Sequence, residues 1–184
     1  SGFDVRHMLA LMCKSRTYQL SLATNKWNED DKINYSHAIA RRLPAETLYD
    51  AIHRVTGAVS SFPGYAPGTR AAQLADVGTT MGAGFLQTFG RPPRESACEC
   101  ERSDEPNLGQ ILHLMNNASI NGRILSKEGR VAQLFTAKTP TPKVVEEIYL
   151  SALARYPNAE ELKKTTQAID KSKTPQIMAE DLLW

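Results

Sequence analysis

Chemistry in this chain is concentrated in one segment, Arg91-Pro-Pro-Arg-Glu-Ser-Ala-Cys-Glu-Cys-Glu-Arg102, where three arginines, three glutamates and two thiols stand close together. Guanidinium groups are planar forks suited to carboxylate, sulfate or phosphate, so Arg91, Arg94 and Arg102 are candidate anion-binding residues. Glu95, Glu99 and Glu101 are candidates for acid–base work or for holding a hard cation. Glycosidase carboxylates sit about 5 to 9.5 Å apart across a cleft, an arrangement poorly served by alternating positions in one short stretch. The same charges read structurally as an Arg–Glu network that locks the segment onto helices, and that reading is the better of the two. Cys98 and Cys100 fall on one side of an extended segment. A disulfide across a single residue is strained, and two thiolates make half of a soft-metal site, so Cys13 or a histidine would have to complete it. An inert buried thiol is the ordinary expectation for each of the three cysteines.

Other groupings are sparser. Glu46, Asp50 and His53 recur at helical spacing and could gather a metal or an acid–base pair. At about 100° per residue the stripe Leu48, Ile52, Val55 lies roughly opposite them, which predicts that they face water. The same geometry sets His113 away from Leu108, Ile111, Leu112 and Met115 and predicts an exposed imidazole. Trp27 and Tyr35 flank a stretch holding Asn25, Asn28, Asn34 and His37. Aromatic faces beside amides suit a sugar platform, and a core aromatic under a long connection explains Trp27 equally well. Arg41-Arg42 is either an anion fork or a solvated approach to the next helix. There is no Gly-rich phosphate loop, G-x-S-x-G elbow or H-E-x-x-H helix, and no C-x-x-C or C-x-x-C-H.

The elements that must position these groups read as helices. Asp4 caps a first one carrying Val5, Met8, Leu9 and Met12. Residues 17–43 hold no sustained period and are rich in Asn and Asp, which predicts a surface connection. Pro44 opens a second helix that Gly57 closes. Between Gly57 and Pro93 lie glycines 57, 64, 68, 78, 82, 84 and 90 and prolines 63, 67, 92 and 93, out of 11 Gly and 10 Pro in the chain. This predicts a long loop, 58–105, with little regular structure, and loops of that length are often functional. Helical signals return at Pro106 with Leu108 to Met115, then at Val131 to Phe135. Thr141-Pro142 opens a helix with the broadest apolar face, which Pro157 stops. Asn158 with Glu161 has capping-box form, and Thr174-Pro175 starts a last helix with no stop signal, so the chain is expected to end mid-domain.

Composition bounds the rest. The chain of 184 residues is 41% hydrophobic and 23% charged, enough for one globular domain with a core. Lys plus Arg is 22 against 20 for Asp plus Glu, a net charge of +2 with interspersed signs, which argues against a nucleic-acid partner. No apolar run approaches the roughly 20 residues of a membrane span. The expected architecture is all-α, one domain over 1–184 trimmed at both ends, with six or seven helices and the 58–105 loop packed over them.

Four stretches, Ser15-Arg-Thr-Tyr-Gln-Leu-Ser21, Ala40-Arg-Arg-Leu-Pro-Ala-Glu-Thr-Leu-Tyr-Asp-Ala-Ile52, Arg91 to Ser103 and Leu112-His-Leu-Met-Asn116, resemble the planctomycete-type domain of unknown function fifteen-fifty-three. The resemblance runs nearly end to end. It implies the closing domain of a large exported protein, periplasmic, cell-surface or extracellular, that also carries a cytochrome-C-like domain and sometimes carbohydrate-binding modules. Neighbouring domains of the same polypeptide are the implied partners, with acidic polysaccharide as the candidate ligand. No cofactor is expected in this chain, because haem would belong to another domain. The family brings no catalytic residues with it. Three functions are therefore carried forward. One is a non-catalytic binding or interaction module using Arg91, Arg94 and Arg102, with Arg41, Arg42, Trp27 and Tyr35 as further binding candidates. The others are a polysaccharide hydrolase using Glu95, Glu99 and Glu101, and a purely structural domain.

Overall fold

The computed structural model describes residues 2–74, 83–91, 107–116 and 118–184. The described residues are all-α, with helices and no strand. Contacts divide the chain into two compact units, Ser1–Arg42 and Leu43–Trp184.

In the first unit, α1 (Val5–Lys14) starts as its sequence dictates: the Asp4 carboxylate accepts the His7 amide at 3.0 Å and satisfies an otherwise orphaned donor. None of its residues is buried, its apolar stripe included. Residues 15–42 carry no helix, and short polar side chains hold their turns. Asn25 accepts the Trp27 amide at 2.9 Å, and Asp31 accepts those of Ile33, Asn34 and Ser36 at 3.0, 2.7 and 3.1 Å. The Ser36 side chain first, and then these backbone amides, hold the Asp31 carboxyl far below the ordinary carboxylate range.

The second unit is organised around α2 (Ala45–Thr56), which Gly57 ends in the left-handed conformation at φ +73°. A 3-10 turn, η1 (Ala71–Gln73), and α3 (Ala83–Thr88) stand within the stretch expected to be loop. The rest of 58–105, at 75–82 and 92–105, lies outside the described residues. Then follow α4 (Leu108–Asn116), α5 (Ala118–Ile124), α6 (Arg130–Thr136), α7 (Thr141–Leu153), α8 (Ala159–Lys171) and α9 (Pro175–Leu183). Helices α3 and α5 were not expected from the sequence: both are short and glycine-bearing, so their apolar period never completes two turns. Pro140, not Thr141, precedes α7, whereas the Asn158–Glu161 capping box opens α8 as expected. Two apolar clusters result. Tyr49, Phe62, Phe85, Leu86, Ile120 and Ile124 surround α2, and Val131, Val144, Val145, Ile148 and Ile169 join α6 to α9.

Two orientations contradict expectation. The polar face of α2 is enclosed in part: Glu46 and His53 are buried and Asp50 is half-buried, because Tyr49 and His53 meet aromatic rings on one flank while Leu48 and Ile52 face α5 on the other. On α4 the apolar residues Leu108, Ile111, Leu112 and Met115 are exposed, and Gln110 and His113 turn inward. Gln110 Nε2 donates to the Thr88 carbonyl at 2.9 Å, capping an orphaned acceptor at the end of α3. The half-buried His113 ring meets Phe85 and Phe89 edge-on, with centroids 5.5 and 6.1 Å away.

Candidate functional site

Among the described residues of the second unit, the chemistry gathers along α2. At its first turn the Glu46 carboxylate lies 3.6 Å from Arg91 Nε, and the two side chains are 9% and 6% exposed. Arg91 is therefore a buried partner of α2 rather than a surface fork. One turn on, Asp50 accepts the Ala71 and Ala72 amides at 2.7 and 3.2 Å, which pins η1 against the helix. Arg123 of α5 donates to the Tyr49 hydroxyl at 3.2 Å, and its guanidinium sits 5.0 Å over the Tyr49 ring. Burial pushes the Tyr49 hydroxyl above its ordinary pKa.

His53 completes the row. Its ring lies against Tyr49, with centroids 4.5 Å apart, and Nδ1 is 2.9 Å from the Ala58 carbonyl. A carbonyl only accepts, so Nδ1 carries the proton in that bond. The opposite nitrogen, Nε2, is fully buried with no hydrogen-bond partner among the described residues. Burial, first of all, keeps the imidazole below its ordinary pKa, and the Arg123 charge acts the same way; the Ala58 bond and Asp50 work against them.

Beside this row opens a cavity of about 870 Å³, walled by Thr47, Asp50 and Arg54 of α2 and by residues 57–60, Gly68, Arg70 and Ala72. Its wall segment is tied to itself and to the helix. The Gly68 amide donates to the Ser60 carbonyl at 2.8 Å and the Ser60 hydroxyl to the Thr69 carbonyl at 2.6 Å. Arg54 and Arg70 are exposed on it, and neither guanidinium meets a carboxylate among the described residues. Two guanidinium forks on the wall of a cavity can hold carboxylate or sulfate groups bidentately. Glu46, Asp50 and the Nδ1 of His53 are engaged in holding the fold, so they do not form the metal or acid–base group that their spacing suggested. Among the described residues, no three His, Cys, Asp or Glu side chains converge as metal ligands. No helix there is long and apolar enough to cross a membrane.

Arg94, Glu95, Cys98, Cys100, Glu99, Glu101 and Arg102 lie outside the described residues. Arg41 and Arg42 are exposed. Trp27 is 85% exposed, with the Lys26 ammonium 4.8 Å over its ring, so it is no core aromatic; Tyr35 is exposed too, at a left-handed φ of 56°. Cys13 is exposed, contrary to the buried thiol expected of it. Arg54 and Arg70 were missed because nothing in their spacing links them: a helix end and a later turn are brought together by tertiary contacts such as the Asp50–η1 bonds.

No curated protein and no solved structure matches the chain. A family model, "Protein of unknown function (DUF1553)", matches residues 1–169. That match spans nearly all of the sequence, and the chain belongs to the DUF1553 family.

Proposed function

We propose that the domain is a non-catalytic binding module of an exported multidomain protein, and that the cavity beside α2 takes an anionic glycan. The observation that carries this reading is the pair of exposed arginines, Arg54 and Arg70, over a cavity whose acidic residue, Asp50, has both carboxylate oxygens engaged by backbone amides. An open cavity suits a chain ligand bearing repeated carboxylates or sulfates better than an enclosed pocket would. Export, and the association with polysaccharide, rest on what the family resemblance implies. The titratable groups of α2 are spent on structural bonds, which favours binding over hydrolysis.

Dextran sulfate, with uncharged dextran as control, tests the reading by thermal shift. Dextran sulfate should raise the midpoint at low salt and less at physiological salt, where charges about 8 Å apart are screened. Uncharged dextran should do nothing. The double variant R54A/R70A should keep its own midpoint and lose the shift. An undiminished shift in that variant overturns the proposal.

A further inference from the structure

We infer that His53 is an acid-sensitive latch on the wall of this cavity: its neutral imidazole holds the segment 58–72 against α2, and protonation at Nε2 releases it. The inference rests on the proposed binding site for its biological use but not for its geometry. Phe62 and Ala71 pack the middle and end of the wall against Tyr49 of α2, and the polar bonds that close the wall onto the helix are few. His53 Nδ1 donates to Ala58 just past the helix end, and Asp50 receives the amides of Ala71 and Ala72. The first of these is made by a buried side chain whose second nitrogen has no partner among the described residues.

A proton on Nε2 would create a buried donor and a buried charge together, both costly without an acceptor. Several charged groups stand on α2 and on the elements packed against it. They are Asp50, Glu46 with Arg91, Arg123 on α5, Arg130 with Glu147 of α6 and α7, and Arg54 and Arg70 on the cavity. Of these, Arg123 opposes the imidazolium and Asp50 favours it, and desolvation outweighs both. The least costly response is for the ring to swing out to water, which breaks the bond to Ala58. Because the folded imidazole titrates below its ordinary value of 6.5, the latch is fully present above that pH and is lost as pH falls through the folded value.

Hydrogen exchange on the full chain, corrected for intrinsic rates, tests this without any ligand. Protection of the Gly68, Ala71 and Ala72 amides should fall at least tenfold between pH 7 and pH 5, while the amides of α7 keep theirs. In His53→Asn, whose amide can still donate to Ala58 but does not titrate, protection should stay level. Level protection in the wild type, or an equal fall in the variant, overturns the latch. Should the variant not fold, the imidazole is titrated directly by NMR: an Nε2 that gains its proton at or above pH 6.5 also overturns it. Protection lost on cue without dextran sulfate binding at any pH would uphold the latch and sink the proposed ligand.

Discussion

At the residue scale, the Glu46–Arg91 pair shows how position converts a candidate ligand into a brace. Two charges removed from water are costly singly and tolerable together, so breaking the pair should cost far more than a surface ion pair. Glu46→Ala or Arg91→Ala should each lower stability by about 3 to 5 kcal/mol, measured by urea denaturation. The double variant E46L/R91M should recover much of that loss, because it leaves no buried charge. A loss below about 1 kcal/mol for either single variant would place the pair in water. The types and even the helical spacing of Glu46, Asp50 and His53 were legible in the sequence. Their burial was not, since a hydrophobic stripe locates one packed face of a helix and is silent about a second. Tyr49, standing between Glu46 and His53, was the available sign: it belongs to the flank that meets Phe62 and Phe85.

At the scale of elements, the ends of helices were better legible than their orientations, because a cap is decided by two or three neighbouring residues. In α8, Asn158 accepts the Glu161 amide and Glu161 accepts the Asn158 amide, both at 2.8 Å, while Arg155 grips Glu161 at 2.8 and 2.9 Å. Asn158→Ala should cost about 1 kcal/mol by thermal unfolding. The Arg155 bonds first, and the Asn158 amide next, bring the Glu161 carboxyl down to about 2 from 4.5. Its contribution is therefore present above pH 4.5 and is lost as pH falls toward 2, and Glu161→Gln should flatten that part of a stability–pH profile. Gly129, the residue before α6, is set by crowding: a Cβ there would come within 2.9 Å of the Ser126 carbonyl oxygen and 3.3 Å of that of Thr56. Backbone cannot yield as a side-chain tip can, so Gly129→Ala should destabilise by about 1 to 3 kcal/mol. The inversion of α4 makes a sharper contrast. Replacing exposed Leu112 by Gln should change stability by no more than about 0.5 kcal/mol, whereas Gln110→Ala should cost about 1 to 3 kcal/mol by abandoning the Thr88 carbonyl. The sequence misled here because α4 has too few polar residues to mark an outer face; what directs it is the aromatic pair Phe85 and Phe89, on α3 and just past its end, distant in sequence.

At the scale of the molecule, the all-α class followed from the density of caps and 3.6-residue periods, while the cavity beside α2 depended on contacts that no local pattern announces. The second unit holds two apolar clusters rather than one, and α2 reaches both: Arg130 of α6 donates through Nε to the Val55 carbonyl at 2.9 Å and through Nη2 to that of Arg54 at 3.0 Å. Gly57 lies so close to the Arg130 backbone that an added Cβ would come within 3.0 Å of its nitrogen. One side chain, Leu183 near the end of α9, packs against both clusters. Such sharing governs cooperativity. With it, melting should be a single calorimetric event whose van't Hoff and calorimetric enthalpies agree. With Leu183→Ala, the van't Hoff enthalpy should fall below the calorimetric one, because the end of α9 no longer ties the clusters together and the contacts of α2 with α6 are left to couple their melting.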